Sequence, residues 1–336
     1  MFNTSNTTQS TASSQQSKFS WFDKAEFGVA GLMCILVAFV LIVTNCGDKP
    51  DPNVETDTTG TAEILCDASL VNFLKPAFAM YDSAYPQAHV TVRGIAAREG
   101  MAQLFAGKAR GVIIAREYLH DEDSLMKAFK VAPYEAVTLA EDALVLYAKP
   151  EFPLDTLSVE QVKAFFTDKT ATLKSAFPAL KTEPSVVCAG ATSSEYGNVM
   201  TMLAGGKAPL HLQFRATSDS VFSDVTRDAN TIGIGYLSQL AGKANVKDVK
   251  LLRIGFTDST GTRITPKPVH QSYVVMGKYP FVVKINGLLL ENRRNLPWGF
   301  FQFLRNDNET KKFFLQSGII PQNAKFNLTP NKTDEE

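Results

Sequence analysis

Cysteine and histidine are scarce in this 336-residue chain, four of each. No two cysteines form a Cys-x-x-Cys pair, and His89, His120, His211 and His270 are scattered, which removes the usual zinc patterns. An excess of either charge is also missing: 34 basic residues balance 34 acidic ones. Without a basic surplus there is no electrostatic case for nucleic acid, and without an acidic tail none for a charge-driven partner. The sequence has no Gly-x-Ser-x-Gly elbow, no His-Glu-x-x-His and no Walker A loop, so these hydrolase and nucleotide-handling classes drop out. No repeat of solenoid period occurs. Nothing implies a metal or cofactor, and the expectation is a binding protein, not an enzyme.

What is present begins with an N-terminal anchor. Residues 1–26 read as a disordered segment, because positions 3–17 are mostly Asn, Thr, Ser and Gln. Residues 27–46 are uncharged after Phe27 and almost wholly apolar to Val43, close to the ~20 residues that span a bilayer. Two readings stay open. The segment is an uncleaved transmembrane helix, or it is a lipoprotein signal ending at Val43-Thr44-Asn45-Cys46, with Asn45 departing from the small residue usual before a lipid-bearing cysteine. Both put the body on the outer face of a membrane, and Lys18 and Lys24 before the run agree with that orientation. Residues 47–61 are polar, with two prolines, and read as a flexible linker.

The whole chain's composition, 45% hydrophobic and 20% charged, fits ordinary globular structure, and the folded body is expected to start near Ala62. Leu70, Phe73, Leu74, Ala77, Phe78 and Tyr81 follow a 3.6-residue period, predicting a helix with Ser69 as N-cap. Strands are expected at His89–Arg93, Gly111–Ala115, Ala143–Ala148, Ser185–Cys188, Ile232–Tyr236, Tyr273–Met276 and Val282–Ile285. Helices fall between them, and a helical pair rich in aromatics closes the chain, its rings expected to pack in the core. Such alternation predicts an α/β fold with mainly parallel sheets. Two stretches share one build: Ile64-Leu65-Cys66-Asp67-Ala68-Ser69 and Val186-Val187-Cys188-Ala189-Gly190-Ala191-Thr192-Ser193-Ser194 each run from an apolar strand through hydroxyl residues into a helix. Helix starts present unpaired N–H groups and partial positive charge, so each stretch is a candidate anion site. Cys66 and Cys188 are expected as buried free thiols.

These stretches occur in order with Phe78-Ala79-Met80-Tyr81-Asp82-Ser83-Ala84-Tyr85-Pro86, Gly111-Val112-Ile113-Ile114-Ala115-Arg116-Glu117, Thr231-Ile232-Gly233-Ile234-Gly235-Tyr236 and Gln316-Ser317-Gly318-Ile319-Ile320-Pro321. Over about residues 60–325 the chain resembles the phosphate-binding proteins of bacterial ABC importers. The resemblance implies a two-lobed α/β "Venus flytrap" (periplasmic-binding-protein type 2) behind the N-terminal apolar membrane anchor. Residues 62–336 would form this domain, one lobe from about 62–145 plus 245–325 and the other from 146–244, with hinges near 140–148 and 242–248. It implies capture of phosphate or a related oxyanion at the periplasmic face of the inner membrane, and delivery to an ABC permease and its ATPase. The implied ligands are Asp67, Ala68 and Ser69 from one jaw and Thr192, Ser193 and Ser194 from the other. Cys188 stands where the family places an arginine. Arg116 is the expected replacement, with Arg98 and Arg215 as lesser ones, and Asp67 would accept the oxyanion's proton. Each residue also fits a plain role: Ser69 and Ser194 as N-caps, Arg116 as an ion-pair partner, Asp67 as a structural acid. The alternative function is a membrane-tethered interaction module whose ligand site has decayed.

Overall fold

The computed structural model describes residues 54–128, 130–131, 136–241, 243, 245–291 and 294–324. The expected disordered segment and apolar anchor, residues 1–26 and 27–46, lie outside the described residues. Among those described, no helix is long and apolar enough to cross a membrane.

The first lobe starts with β1 (Gly60–Asp67), whose Ile64, Leu65 and Cys66 are wholly buried because β1 pairs in parallel with a strand on each side. Helix α1 (Ala68–Ala84) follows, then β2 (Ala88–Ile95), α2 (Ala97–Phe105), β3 (Gly111–Ile114) and α3 (His120–Ala128). The 12-residue β4 (Val137–Ala148) then leads into the second lobe. There lie β5 (Thr156–Ser158), α4 (Val159–Thr167), α5 (Leu173–Ala176), β6 (Ser185–Ala189), α6 (Ser194–Asn198, continuing into a π-turn at Val199–Leu203), β7 (Leu212–Arg215), α7 (Ser218–Arg227), β8 (Thr231–Tyr236) and α8 (Leu237–Ala241). The remainder is β9 (Lys250–Leu251), β10 (Arg253–Thr257), β11 (Arg263–Ile264), α9 (Gln271–Val275), β12 (Val282–Leu289), α10 (Leu296–Asn306), α11 (Asn308–Gln316) and β13 (Ile320–Pro321).

Strand order is β2-β1-β3-β12-β4-β8-β6-β7, with β9 and β13 also on β4. The outer pairs are parallel, as expected, but β3–β12, β12–β4 and β4–β8 are antiparallel. The antiparallel part is where the chain changes lobes. Residues 137–143 of β4 pair with β12 in the first lobe, and residues 144–148 pair with β8 in the second. Residues 140–148, the segment expected as a hinge, lie within this strand.

The second crossing differs from expectation. Strands β9 and β10, placed by the resemblance in the first lobe, pair instead with residues 147–148 and with β5 in the second. The chain returns only before β12, where Phe281 C=O accepts from Leu144 N–H at 2.9 Å and Tyr279 Oη donates to Leu144 C=O at 2.7 Å. The two crossings are therefore bonded to each other, and residues 245–248 of the expected second hinge precede strands that pair within the second lobe. Tyr273–Met276, expected as a strand, lies largely in α9: an apolar run that short does not distinguish the two periods.

The linker expectation also needs correction at its end. Residues 54–59 lie on the first lobe, not free of it. Arg110 donates to Glu55 (Nη1 to Oε2, 2.7 Å) and to Glu291 (Nη2 to Oε2, 3.0 Å), and Leu296 N–H donates to Glu55 Oε1 at 3.3 Å. Gly299 lets this strap touch α10, since a Cβ there would collide with the Asp57 carbonyl. Behind it, Tyr81 meets Phe300 edge-on with centroids 4.9 Å apart, and Phe73 stacks on Phe313 at 5.4 Å. The C-terminal aromatics thus pack α10 and α11 onto α1.

Ser158 caps α4 in a reciprocal box: its hydroxyl accepts from Gln161 N–H at 3.2 Å, while Gln161 Oε1 accepts from Ser158 N–H at 2.8 Å. Ser158→Ala is expected to cost about 1 kcal/mol, read as a lower urea midpoint at unchanged slope.

Candidate functional site

Asp67 ends β1 and caps α1, its Oδ1 accepting from Ser69 N–H at 3.0 Å. The expected cap, Ser69, is displaced from that duty by the residue two before it. Its hydroxyl is buried beside the Asp67 carboxylate.

The opposing jaw begins where β6 ends. Ser193 caps α6, its Oγ accepting from Tyr196 N–H at 3.1 Å. The Thr192 carbonyl crosses to the first lobe and accepts from Arg98 N–H at 3.1 Å. Ser194 is fully buried and accepts from Ala115 N–H at 3.4 Å. Asn198 Nδ2 and Tyr236 Oη donate to the carbonyl of that same Ala115, at 2.7 and 3.1 Å.

Asp67, Ala68, Ser69, Thr192 and Ser193 all line one cleft of about 400 Å³. Strand ends and helix starts meet there, as in other open α/β sheets. The remaining two expected ligands do not line it. Ser194 sits behind the lining, its hydroxyl accepting from Ala115 N–H and lying beside Asp67. Arg116 is buried behind α6, gripping Glu122 through both terminal nitrogens at 2.6 Å and donating to Glu117 C=O at 3.0 Å. A Cβ at Gly197 would lie 2.7 Å from Arg116 Cδ, so α6 packs directly on the arginine. Arg98 and Arg215 are also committed, to Asp121 and Asp224. No arginine lines this cleft among the described residues.

The residue that fills the space between the jaws is one the sequence reading passed over. Glu195 is fully buried, and its Oε1 accepts from Ser218 Oγ and Gln239 Nε2, both at 2.8 Å. Gln239 is fixed by Tyr236 N–H, which donates to its Oε1 at 3.0 Å, and its Nε2 also reaches Ser69 C=O across the cleft at 3.2 Å. The closed arrangement is thus bridged by the protein's own groups. Glu195 stands in the Thr192-Ser193-Ser194-Glu195-Tyr196 stretch that resembles the family, but as an acid in the first turn of a helix it ordinarily just complements the dipole.

Charge in the cleft is mainly negative. Asp67, Glu195 and Asp219 line it against a single basic side chain, Lys243, whose Nζ sits 2.6 Å from Asp219 Oδ1. Burial, and then the Asp67 charge, pushes Glu195 up to about 7 from the usual 4.5. Asp67 is raised too, chiefly by burial, with the nearby Ser194 and Ser69 hydroxyls pulling the other way. Glu195 Oε2 is buried without a partner, whereas the Ser69 hydroxyl lies beside Asp67 and the Ser238 hydroxyl beside Asp142. Cys66 and Cys188 are free and buried beneath the jaws, and burial raises both thiols well above their ordinary range.

Two jaws carried on strand ends, joined by two crossings around a polar cleft, form a recognisable architecture. A family profile for the PBP superfamily domain matches residues 51–304. The chain belongs to this superfamily. In fold it is similar to a Clostridium perfringens protein described as a phosphate ABC transporter substrate-binding protein, solved with bound phosphate (TM-score 0.62, 15% identity, 78% of this chain and 99% of that one). An ABC-type phosphate transport receptor from Vibrio cholerae is similar too (TM-score 0.59, 17% identity, 78% and 100%). The fold extends to regulators: the Synechocystis CcmR regulatory domain in complex with 2-PG aligns at TM-score 0.50 and 9% identity, over 73% of this chain and 96% of that one. No curated protein sequence matches the chain.

Proposed function

We propose that this superfamily member is an extracytoplasmic solute-binding protein that closes on a small oxyacid and presents it to an ABC permease and its ATPase. The observation that carries the reading is a polar cleft of about 400 Å³ where strand ends and helix starts of both lobes meet, lined by Asp67, Ser69, Thr192 and Ser193. Ser69, Thr192 and the start of the 17-residue α1 offer donors to an anionic oxygen.

The carboxylates restrict which oxyacid fits. A fully ionised oxyanion some 4 Å from a carboxylate is opposed by about 4 kcal/mol at an effective dielectric near 20. Asp67 and Glu195 line the cleft as buried acids, so a solute that carries its own protons is opposed less than one that carries none. Sulfate has none, whereas phosphate carries protons. In calorimetry on protein stripped of ligand, phosphate is expected to bind more tightly at pH 5.5 than at pH 8, and sulfate at neither. Equal affinity for sulfate would overturn the restriction; no heat with any oxyacid would overturn capture.

A second reading has its own support. Gln239 to Ser69 C=O and Arg98 N–H to Thr192 C=O join the lobes without any ligand, which suits a tethered interaction module with a decayed site. Pull-down from detergent-solubilised membranes separates the two. A permease and ATPase are expected for capture, and a secretion or cell-surface assembly for the module.

A further inference from the structure

Most of the hydrogen bonds that join the lobes meet on one backbone unit behind the cleft. Ala115 directly follows β3 in the first lobe and is fully buried. Its carbonyl uses both lone pairs on the second lobe, accepting from Asn198 Nδ2 at 2.7 Å and from Tyr236 Oη at 3.1 Å. Asn198 Nδ2 also donates to Tyr236 Oη at 2.9 Å, which closes the cluster. The Ala115 N–H points the same way, to Ser194 Oγ at 3.4 Å. Asn198, Tyr236 and Ser194 are all buried, and none of these residues lines the cleft. Asn198 is the last residue before α6 widens into the π-turn at Val199–Leu203, a rare geometry that recurs at functional positions. A separate contact lies at Arg98, in the first turn of α2, where a helix amide has no partner within its own helix. Its N–H is satisfied by the Thr192 carbonyl of the second lobe.

We infer that Ala115 is the seat of a latch that holds the two lobes together whether or not the cleft is filled, with Asn198 and Tyr236 as its catch. Each latch bond runs from a protein donor to a protein acceptor, so it forms without a solute. Parting the lobes breaks every bond on Ala115 together and removes the only partner of the Arg98 amide. The latch concerns where the jaws rest, not what they hold, so it stands apart from the reading of the cleft as a solute site. If the cleft does capture a solute, parting of the lobes is the event that the solute waits for.

The Arg98 and Ala115 amides report on the latch directly. The test is hydrogen exchange read by mass spectrometry on the full chain, dialysed free of solute, before and after inorganic phosphate is added. In the wild-type protein both amides are expected to exchange at least about a hundredfold more slowly than an unstructured chain, already before phosphate. Asn198→Ala combined with Tyr236→Phe is expected to speed both by at least about tenfold more than the amides of Ile64 and Leu65 inside β1. Tyr236→Phe alone, which loses one hydroxyl and keeps the ring, provides a second measure should the double variant fold poorly. Free exchange at Arg98 in the wild-type protein, slowed only by phosphate, would overturn the latch and leave solute capture standing. Equal acceleration at Arg98, Ala115, Ile64 and Leu65 would make the cluster a general prop of the fold, not a latch. Unchanged exchange in both folded variants would overturn the assignment to Asn198 and Tyr236.

Discussion

Replacing Arg116 with alanine is expected to cost about 3–5 kcal/mol of stability and to leave ligand affinity nearly unchanged wherever the variant remains folded. The guanidinium is buried, and so is the Glu122 carboxylate it grips at two points. Removing one member strands the other in a medium that cannot solvate it, and the lost side chain leaves a hole beneath α6 besides. Glu122→Ala is expected to do similar damage. Removing both charges together, as Arg116→Met with Glu122→Leu, is expected to recover most of the loss, because apolar groups of similar volume owe no desolvation penalty. Denaturant midpoints for the two single variants and the double variant, closed as a cycle, measure the coupling. A ligand arginine behaves differently: its loss would abolish binding, and the double variant would not restore it.

The second large effect is on pH. Burial lifts the Glu195 carboxyl from the usual 4.5 to about 7, so the folded protein holds a proton that the unfolded chain has already released. The stability linked to that proton is fully present below pH 4.5, declines as pH rises toward 7, and is gone above it. The range corresponds to roughly 3 kcal/mol. Asp67, raised by burial, and Asp142, pushed up to about 6 where it holds the start of α8, act in the same direction. The ligand-free protein is therefore expected to melt at a distinctly lower temperature at pH 8 than at pH 5. Glu195→Gln, neutral throughout and able to accept the same two hydrogen bonds, is expected to flatten most of that slope and to be the more stable protein at pH 8. A wild-type melting profile that climbs steadily from pH 5 to pH 8 would contradict the buried-acid account.

What the sequence revealed and what it hid follow from how far apart the interacting residues lie. Helix α1 was legible because Leu70, Leu74, Ala77 and Tyr81 repeat on one face. Asp67, Ala68, Ser69, Thr192 and Ser193 were placed in one cleft by a local rule, that strand ends and helix starts gather together. Glu195 was hidden because a first-turn glutamate looks the same whether it faces water or a buried jaw. Arg116 misled because its partner is only six residues on yet reaches it through the fold, not along one helix. The late second crossing rests on the pairing of Arg253–Gly255 with Thr156–Ser158, about a hundred residues apart, which no local pattern encodes. The strap hid for the same reason: Glu55 is as polar as any linker residue until Arg110 is brought to it.

That strap has a mechanical consequence. Because Arg110 clasps Glu55 and Glu291 together while the chain rests over Gly299, a tug on Val54 is borne first by ion pairs loaded in shear, which share the force among several bonds. The edge of β1 is spared the unzipping load that opens hydrogen bonds one at a time. Load applied at Val54 thus reaches the first lobe through Glu55 and Arg110 before it reaches the sheet.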